Sequence, residues 1–260
     1  MMVSISKRQK FVIVAILLSL GLGLIQFANI TWRYQAIAVL VILTYFLSAW
    51  SLKEGLTGVE WLTVLILPTL FTASIGLFFF LIPARWLTRA PVIALYGFGI
   101  YVLLLIENIF SVAAIRTIQL LRSAQAVGFL LTLATAFFLY DTIFSFRLDP
   151  WFNLALVAFV SFILVLPGLW CINLEEKINR QIWLYAISLS LVLGEVALAF
   201  SFWPVTVVVG SLALATALYM ILGLAQHQLS ERLFARTLSE YVAVGLAVLL
   251  VIFLTSRWGG

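Results

Sequence analysis

Three carboxylates stand in stretches where carboxylates are costly. Glu195 lies within Leu191–Phe200, directly after Gly194. Asp141 follows Tyr140 in a second apolar stretch, and Glu107, with Asn108, sits near the end of a third. At the centre of a bilayer a charged side chain costs roughly 2.5–3.5 kcal/mol on insertion scales, so each acid needs a reason to be there. One reason is chemical. A carboxylate in a low-dielectric site can exchange a proton near neutral pH, or hold a cation. The other is structural, an interhelical hydrogen bond or an ion pair. Glu107 is within sequence reach of Arg116 and Arg122, and Asp141 of Arg147. Glu195 has no basic residue close in sequence, so it ranks first as an ion- or proton-binding candidate, ahead of Asp141 and Glu107.

Other chemistries find little support. His227 is the only histidine, so no H-E-x-x-H zinc site exists, and it reads as a solvated residue at a helix end. Cys171 is the only cysteine, so there is no intramolecular disulfide and no cysteine metal cluster. No G-x-S-x-G elbow or phosphate-binding loop is present. Tyr140-Asp141 is similar to one half of an intramembrane aspartyl protease, but the partner Gly-x-Gly-Asp motif is missing. A single aspartate cannot share a proton as that mechanism requires. The expectation is a protein that is not an enzyme, with no cofactor and no bound metal. A lipid-modifying enzyme ranks last, because the polar inventory at either face is poor.

The elements that must position these acids are set by composition. Of 260 residues, 65% are hydrophobic and 10% charged, with mean hydropathy +1.20. A soluble domain carries about 25% charged residues, so the solvent here is lipid. Nine apolar runs follow one another: Phe11–Ile30, Tyr34–Trp50, Trp61–Ile82, Pro91–Phe110, Ala126–Phe146, Trp151–Ile172, Ile182–Phe200, Val205–Leu224 and Tyr241–Thr255. About 20 apolar residues span a hydrocarbon core as a helix. Backbone amides cannot stay unpaired in lipid, and the runs are continuous rather than alternating, so each reads as a helix. The second and ninth runs are the shortest, which leaves eight spans as the alternative. All nine tryptophans flank these runs, as suits an apolar ring with one N–H donor. The fold class is all-α, a polytopic transmembrane helix bundle forming a single integral membrane domain over 1–260.

Prolines and glycines refine the picture. Pro91 and Pro150 are expected to open helices, and Pro83 and Pro204 to mark turns. Pro68 and Pro167 fall inside runs and should kink them. Gly21-Leu22-Gly23 and Gly97-Phe98-Gly99 read as close helix contacts. Lys7, Arg8 and Lys10 precede a first run too long for a signal peptide, which reads as a retained helix. With a cytoplasmic N-terminus, ten Lys and Arg fall inside and five (Arg33, Arg85, Arg89, Arg147 and Arg257) outside, as the positive-inside rule asks. The segment Ser111–Ala124 places Arg116, Gln119 and Arg122 on one face and Ile115, Ile118 and Leu121 on another. It reads as an interfacial amphipathic segment or an extension of the fourth helix. A shift of 142 aligns Trp61 with Trp203 and three further pairs, no more than chance gives, so no internal repeat is expected.

Two stretches carry a resemblance. Glu107-Asn108-Ile109-Phe110-Ser111, leading into Arg116 and Arg122, is one. Ser201-Phe202-Trp203-Pro204-Val205-Thr206, leading to Gly210, is the other. Together they resemble a family of uncharacterised bacterial multi-span membrane proteins, over most of the chain. That family has no assigned activity, so the resemblance implies a bacterial inner membrane and nothing of function. Two functions are carried forward. One is a small transporter or permease with an intramembrane carboxylate site for a small solute or ion. The other is a non-catalytic membrane scaffold or assembly partner. Membrane lipids are the expected partners and nucleic acid is not, because the basic residues form no stripe. Protein partners are unknown.

Overall fold

A computed structural model describes residues 6–27, 30–114 and 119–256. Among the described residues the chain is all-α, with nine helices long and apolar enough to cross a membrane. They are α1 (Lys7–Ile25), α2 (Arg33–Leu52), α3 (Glu60–Phe78), α4 (Trp86–Ala113), α5 (Leu121–Ser145), α6 (Pro150–Asn173), α7 (Arg180–Ser201), α8 (Val207–Leu229) and α9 (Ala235–Thr255). At 1.5 Å per residue the shortest reaches about 28 Å, close to the thickness of a hydrocarbon core. Every sequence run corresponds to one helix, but the ends differ. Pro91 does not open α4: the helix starts at Trp86, so Pro91 lies inside it and Arg89 belongs to its first turn. Pro150 does open α6, at its first position.

Local signals set several ends. Ser6 and Gln9 cap α1 reciprocally, and Asn179 and Thr206 accept from Gln181 N and Val209 N at the starts of α7 and α8. After α5, α6 and α8 come Arg147, Leu174 and Glu231, each in the left-handed region that ends a helix. Outward faces are leucine, isoleucine, valine and phenylalanine, for example Leu17, Leu24, Phe46 and Phe98. Such a surface suits lipid, where burying apolar area between helices gains little. Close packing and hydrogen bonds must do the joining.

The contacts divide the chain into two compact units, Met1–Leu131 and Thr132–Gly260. In the first, α1 packs on α2 and α4, and α3 on the same two helices. Gly97 of α4 meets Ser19 of α1, and Gly99 meets Phe71 of α3; a Cβ at either would collide. Gly21 likewise receives Leu40. A buried hydroxyl chain joins the three helices α2, α3 and α4: Thr44 Oγ1 to Thr72 Oγ1 at 3.1 Å, and Thr72 Oγ1 to Tyr96 Oη at 2.9 Å. At one end, Lys7 and Lys10 pair with Glu54 at 3.2 and 3.3 Å, tying the start of α1 to the end of α2.

In the second unit α6 and α7 form the most intimate pair, and α8 packs on α6, α7 and α9. Gly194 makes the first contact possible: a Cβ there would lie 2.9 Å from Leu154 O. Trp170 donates Nε1–H to Glu175 O at 2.9 Å, and Gln226 donates to Gly168 O at 2.8 Å, closing one end. At the other, Trp203 donates to Ser256 Oγ at 2.7 Å. Helix α9 buries only Gly245 and Ile252, packs Tyr241 on Tyr219 at 4.9 Å and leaves most of its other positions exposed.

Candidate functional site

Asp141 gets its position from its neighbour. Tyr140 Oη bonds Ser161 Oγ at 2.7 Å, which fixes the face of α5 that meets α6. One residue on, about 100° round the helix, Asp141 turns toward α8. It is 4% exposed. Ser211 of α8 faces its carboxylate. That hydroxyl donates to Val207 O at 2.8 Å, four residues back. A serine hydroxyl has one proton to give, and Asp141 Oδ1 is buried with no hydrogen-bond partner among the described residues.

One turn beyond Asp141 stands Phe144, its ring 3.6 Å from where a Gly210 Cβ would lie. Past that pair is a cavity of about 270 Å³, lined by Phe144, Arg147, Asn153, Ser201, Thr206 and Gly210 among others. The starts of α6 and α8 and the ends of α5 and α7 form its wall. Asn153 is also 4% exposed. Its Nδ2 donates to Ser201 Oγ at 3.1 Å, and Ser201 donates onward to Ala197 O at 2.9 Å. This arrangement leaves Asn153 Oδ1 buried without a partner among the described residues. Among the described residues the unit thus holds two bare acceptors, one on the cavity-lining Asn153 and one on Asp141, a turn along α5 from the lining Phe144. Acceptors without donors suit a cation, an ammonium group, a hydroxyl or water. Arg147, exposed, adds a positive charge to the lining. Two other cavities are lined mainly by carbon: one of about 380 Å³ between α1 and α4, another of about 260 Å³ among α7, α8 and α9. They suit acyl chains better than polar solutes.

The remaining sequence candidates lie elsewhere. Glu195 is exposed on α7, neither sealed between helices nor lining the polar cavity. Gly194 faces α6, and the next residue therefore points away from it. Ser188 and Leu191 share that outward face. Glu107 belongs to the first unit, 3% exposed on the inner face of α4 with Leu103, Leu104 and Ser111. Among the described residues Glu107 makes no ion pair with Arg122 and Asp141 none with Arg147, while Arg116, the other expected partner of Glu107, lies outside them. Those present are Lys7–Glu54, Lys10–Glu54 and Arg236–Glu240. Gln119 and Arg122 are exposed at the start of α5, while Arg116 lies outside the described residues. Among the described residues no three His, Cys, Asp or Glu side chains gather to hold a metal ion.

Sequence reasoning passed over Asn153 and Ser211. For Asn153 a signal was present, a lone amide inside the apolar run Trp151–Ile172. Ser211 gave none, since a serine four residues after a helix start commonly bonds back to its own helix. No curated protein and no solved structure matches the chain. Residues 12–255 match the family described as Protein of unknown function (DUF5656), and the chain belongs to that family.

Proposed function

We propose that this protein is a small inner-membrane transporter or permease whose binding site is the polar cavity of the second unit. One observation carries the reading: Asp141 keeps a carboxylate oxygen buried and unpartnered among the described residues, a turn from a polar cavity whose lining residue Asn153 carries a second bare acceptor. A buried polar atom left unsatisfied costs about 1–3 kcal/mol, and more if charged. A residue serving only to join helices would be paired. A cation or protonated solute entering past Phe144 would satisfy both oxygens in turn, and Asp141 itself is the group that could bind and release a proton. The cavity is at the small end of ligand sites, which favours an ion or a solute of a few heavy atoms.

The test is flux. Proteoliposomes with a trapped pH dye are given Na⁺, K⁺ or ammonium under an imposed pH gradient. Wild type is expected to move protons or the added cation, and Asp141→Asn to abolish that movement. Equal traces from wild type, Asp141→Asn and empty liposomes with every cation would remove the reading.

A second reading, membrane scaffold or assembly partner, is favoured by a different residue. Glu195 is exposed in the membrane-spanning part of α7 with no hydrogen bond or ion pair to another described residue. A carboxylate turned to hydrocarbon is expensive, so a helix of another protein bearing a donor would relieve it.

A further inference from the structure

We propose that the face of the first unit bearing Arg33 and Arg89 binds a phosphate group, carried by an anionic lipid headgroup or free in solution. Helix α4 begins at Trp86, so Arg89 stands in its first turn rather than in a loop. It is 7% exposed, and its Nε–H is buried with no acceptor among the described residues. Its Cζ lies 4.8 Å from the centre of the Phe79 ring. Arg33, the first residue of α2, repeats the arrangement. Its Nε–H is also buried without an acceptor, and its Cζ lies 5.1 Å from the Phe80 ring. Phe79 and Phe80 themselves meet edge to face at 6.2 Å. The two guanidinium groups therefore flank one aromatic pair. Each ring packs against a guanidinium whose Nε–H edge has no acceptor among the described residues. A free edge of this kind is what recognises a phosphate by paired hydrogen bonds.

Nothing within the unit neutralises these charges. No Asp or Glu occurs between Phe11 and Lys53, or between Trp61 and Ile106. The acids of the first unit are Glu54, Glu60 and Glu107, near the opposite ends of its helices. The backbone adds to the positive field. Helices α2 and α4 both start on this face, and neither Trp32 nor Arg85 caps its helix with a side chain. Thr88 and Arg89 N–H already donate to Arg85 O, so the contribution of the backbone is the positive end of each helix dipole, which favours an anion. Trp32 and Trp86, both exposed, mark the depth as that of the headgroups. A buried cation without a counter-charge is strongly unfavourable, and an anion from outside the chain supplies one.

Thermal unfolding of the purified protein in neutral detergent tests this, with phosphatidylglycerol, phosphatidylcholine or inorganic phosphate added. Phosphatidylglycerol is expected to raise the wild-type midpoint and phosphatidylcholine to do so far less. Arg89→Gln should raise the phosphatidylglycerol concentration for half the shift about tenfold or more, the loss of one charge-assisted contact. Arg85→Gln, removing an exposed arginine of the same turn, should leave it unchanged. Inorganic phosphate shifting wild type but not Arg89→Gln would also support the site and make free phosphate the source. No wild-type shift with either phosphate probe, or equal shifts in wild type and Arg89→Gln, would overturn it. Should Arg89→Gln not fold, native mass spectrometry of phosphatidylglycerol kept by wild type and by Arg33→Gln decides. Loss in the variant supports the site, and equal retention or none in wild type overturns it.

Discussion

Asp141 and Glu195 are both acids within apolar helices, yet their surroundings are opposite. Asp141 faces Ser211 and is buried; Glu195 faces outward. Successive helix residues differ by about 100°, so the Gly194 contact with α6 turns Glu195 away. Different predictions follow. Asp141→Asn removes an unsatisfied carboxylate without changing its size. Its unfolding midpoint in detergent should hold or rise, with a gain of up to about 1–3 kcal/mol, while cation-driven flux disappears. A drop of that size would show the carboxylate well satisfied in the native protein. Glu195→Leu should ease insertion of α7 by on the order of 2–3 kcal/mol, less if the acid snorkels toward the nearer end. A glycosylation-mapping insertion assay on the isolated span reads this directly. An unchanged insertion efficiency would mean that Glu195 never meets hydrocarbon.

At the scale of elements, joining α6 to α7 depends on a missing side chain. A Cβ on Gly194 would lie 2.9 Å from a backbone carbonyl and 3.0 Å from Ala158 Cβ, neither of which can swing aside as a long side chain would. Gly194→Ala should therefore destabilise the second unit by about 1–3 kcal/mol, the usual cost of overpacking. Reversible unfolding in mixed micelles measures it; wild-type stability would mean that the two helices are free to part. The positions of the spans were legible in the sequence, and their ends were less so. Hydropathy starts the fourth run at Pro91, yet α4 begins at Trp86. A helix continues past its apolar run because its amides still need partners at the edge of the lipid. The same reason starts α9 at Ala235, where Arg236 and Glu240 pair on an exposed face at 3.2 Å.

Nine helices are long and apolar enough to cross a membrane, and nine crossings would put the two ends of the chain on opposite sides. Cys171 is the sole cysteine and is buried, so a Cys171→Ser background allows single reporters. Thr57→Cys, between α2 and α3, and Leu148→Cys, between α5 and α6, should react with impermeant thiol reagents from opposite sides. The positive-inside rule, with ten Lys and Arg on the side of Thr57 against five on the other, predicts that this side is the cytoplasmic one. Labelling of both from one side would remove a span between them and break the nine-helix topology.

Amino-acid order alone determined that this chain lives in lipid, that its backbone must be helical there, and roughly where each helix runs. Those outcomes depend on hydrophobicity and on pairing every amide, both local properties that a string of residues displays. It also marked the residues too polar to be there without cause. Only tertiary packing decided which of them share surroundings. A helix face is assigned by its contacts, and contacts such as Gly194 on Leu154, Tyr140 on Ser161 or Arg89 on Phe79 join residues far apart in the chain or set the rotation of a helix. Hence Asp141, Asn153 and Ser211, on three different helices, emerged around one polar region of the second unit. Arg89, read from sequence as a loop charge, proved to be a buried cation.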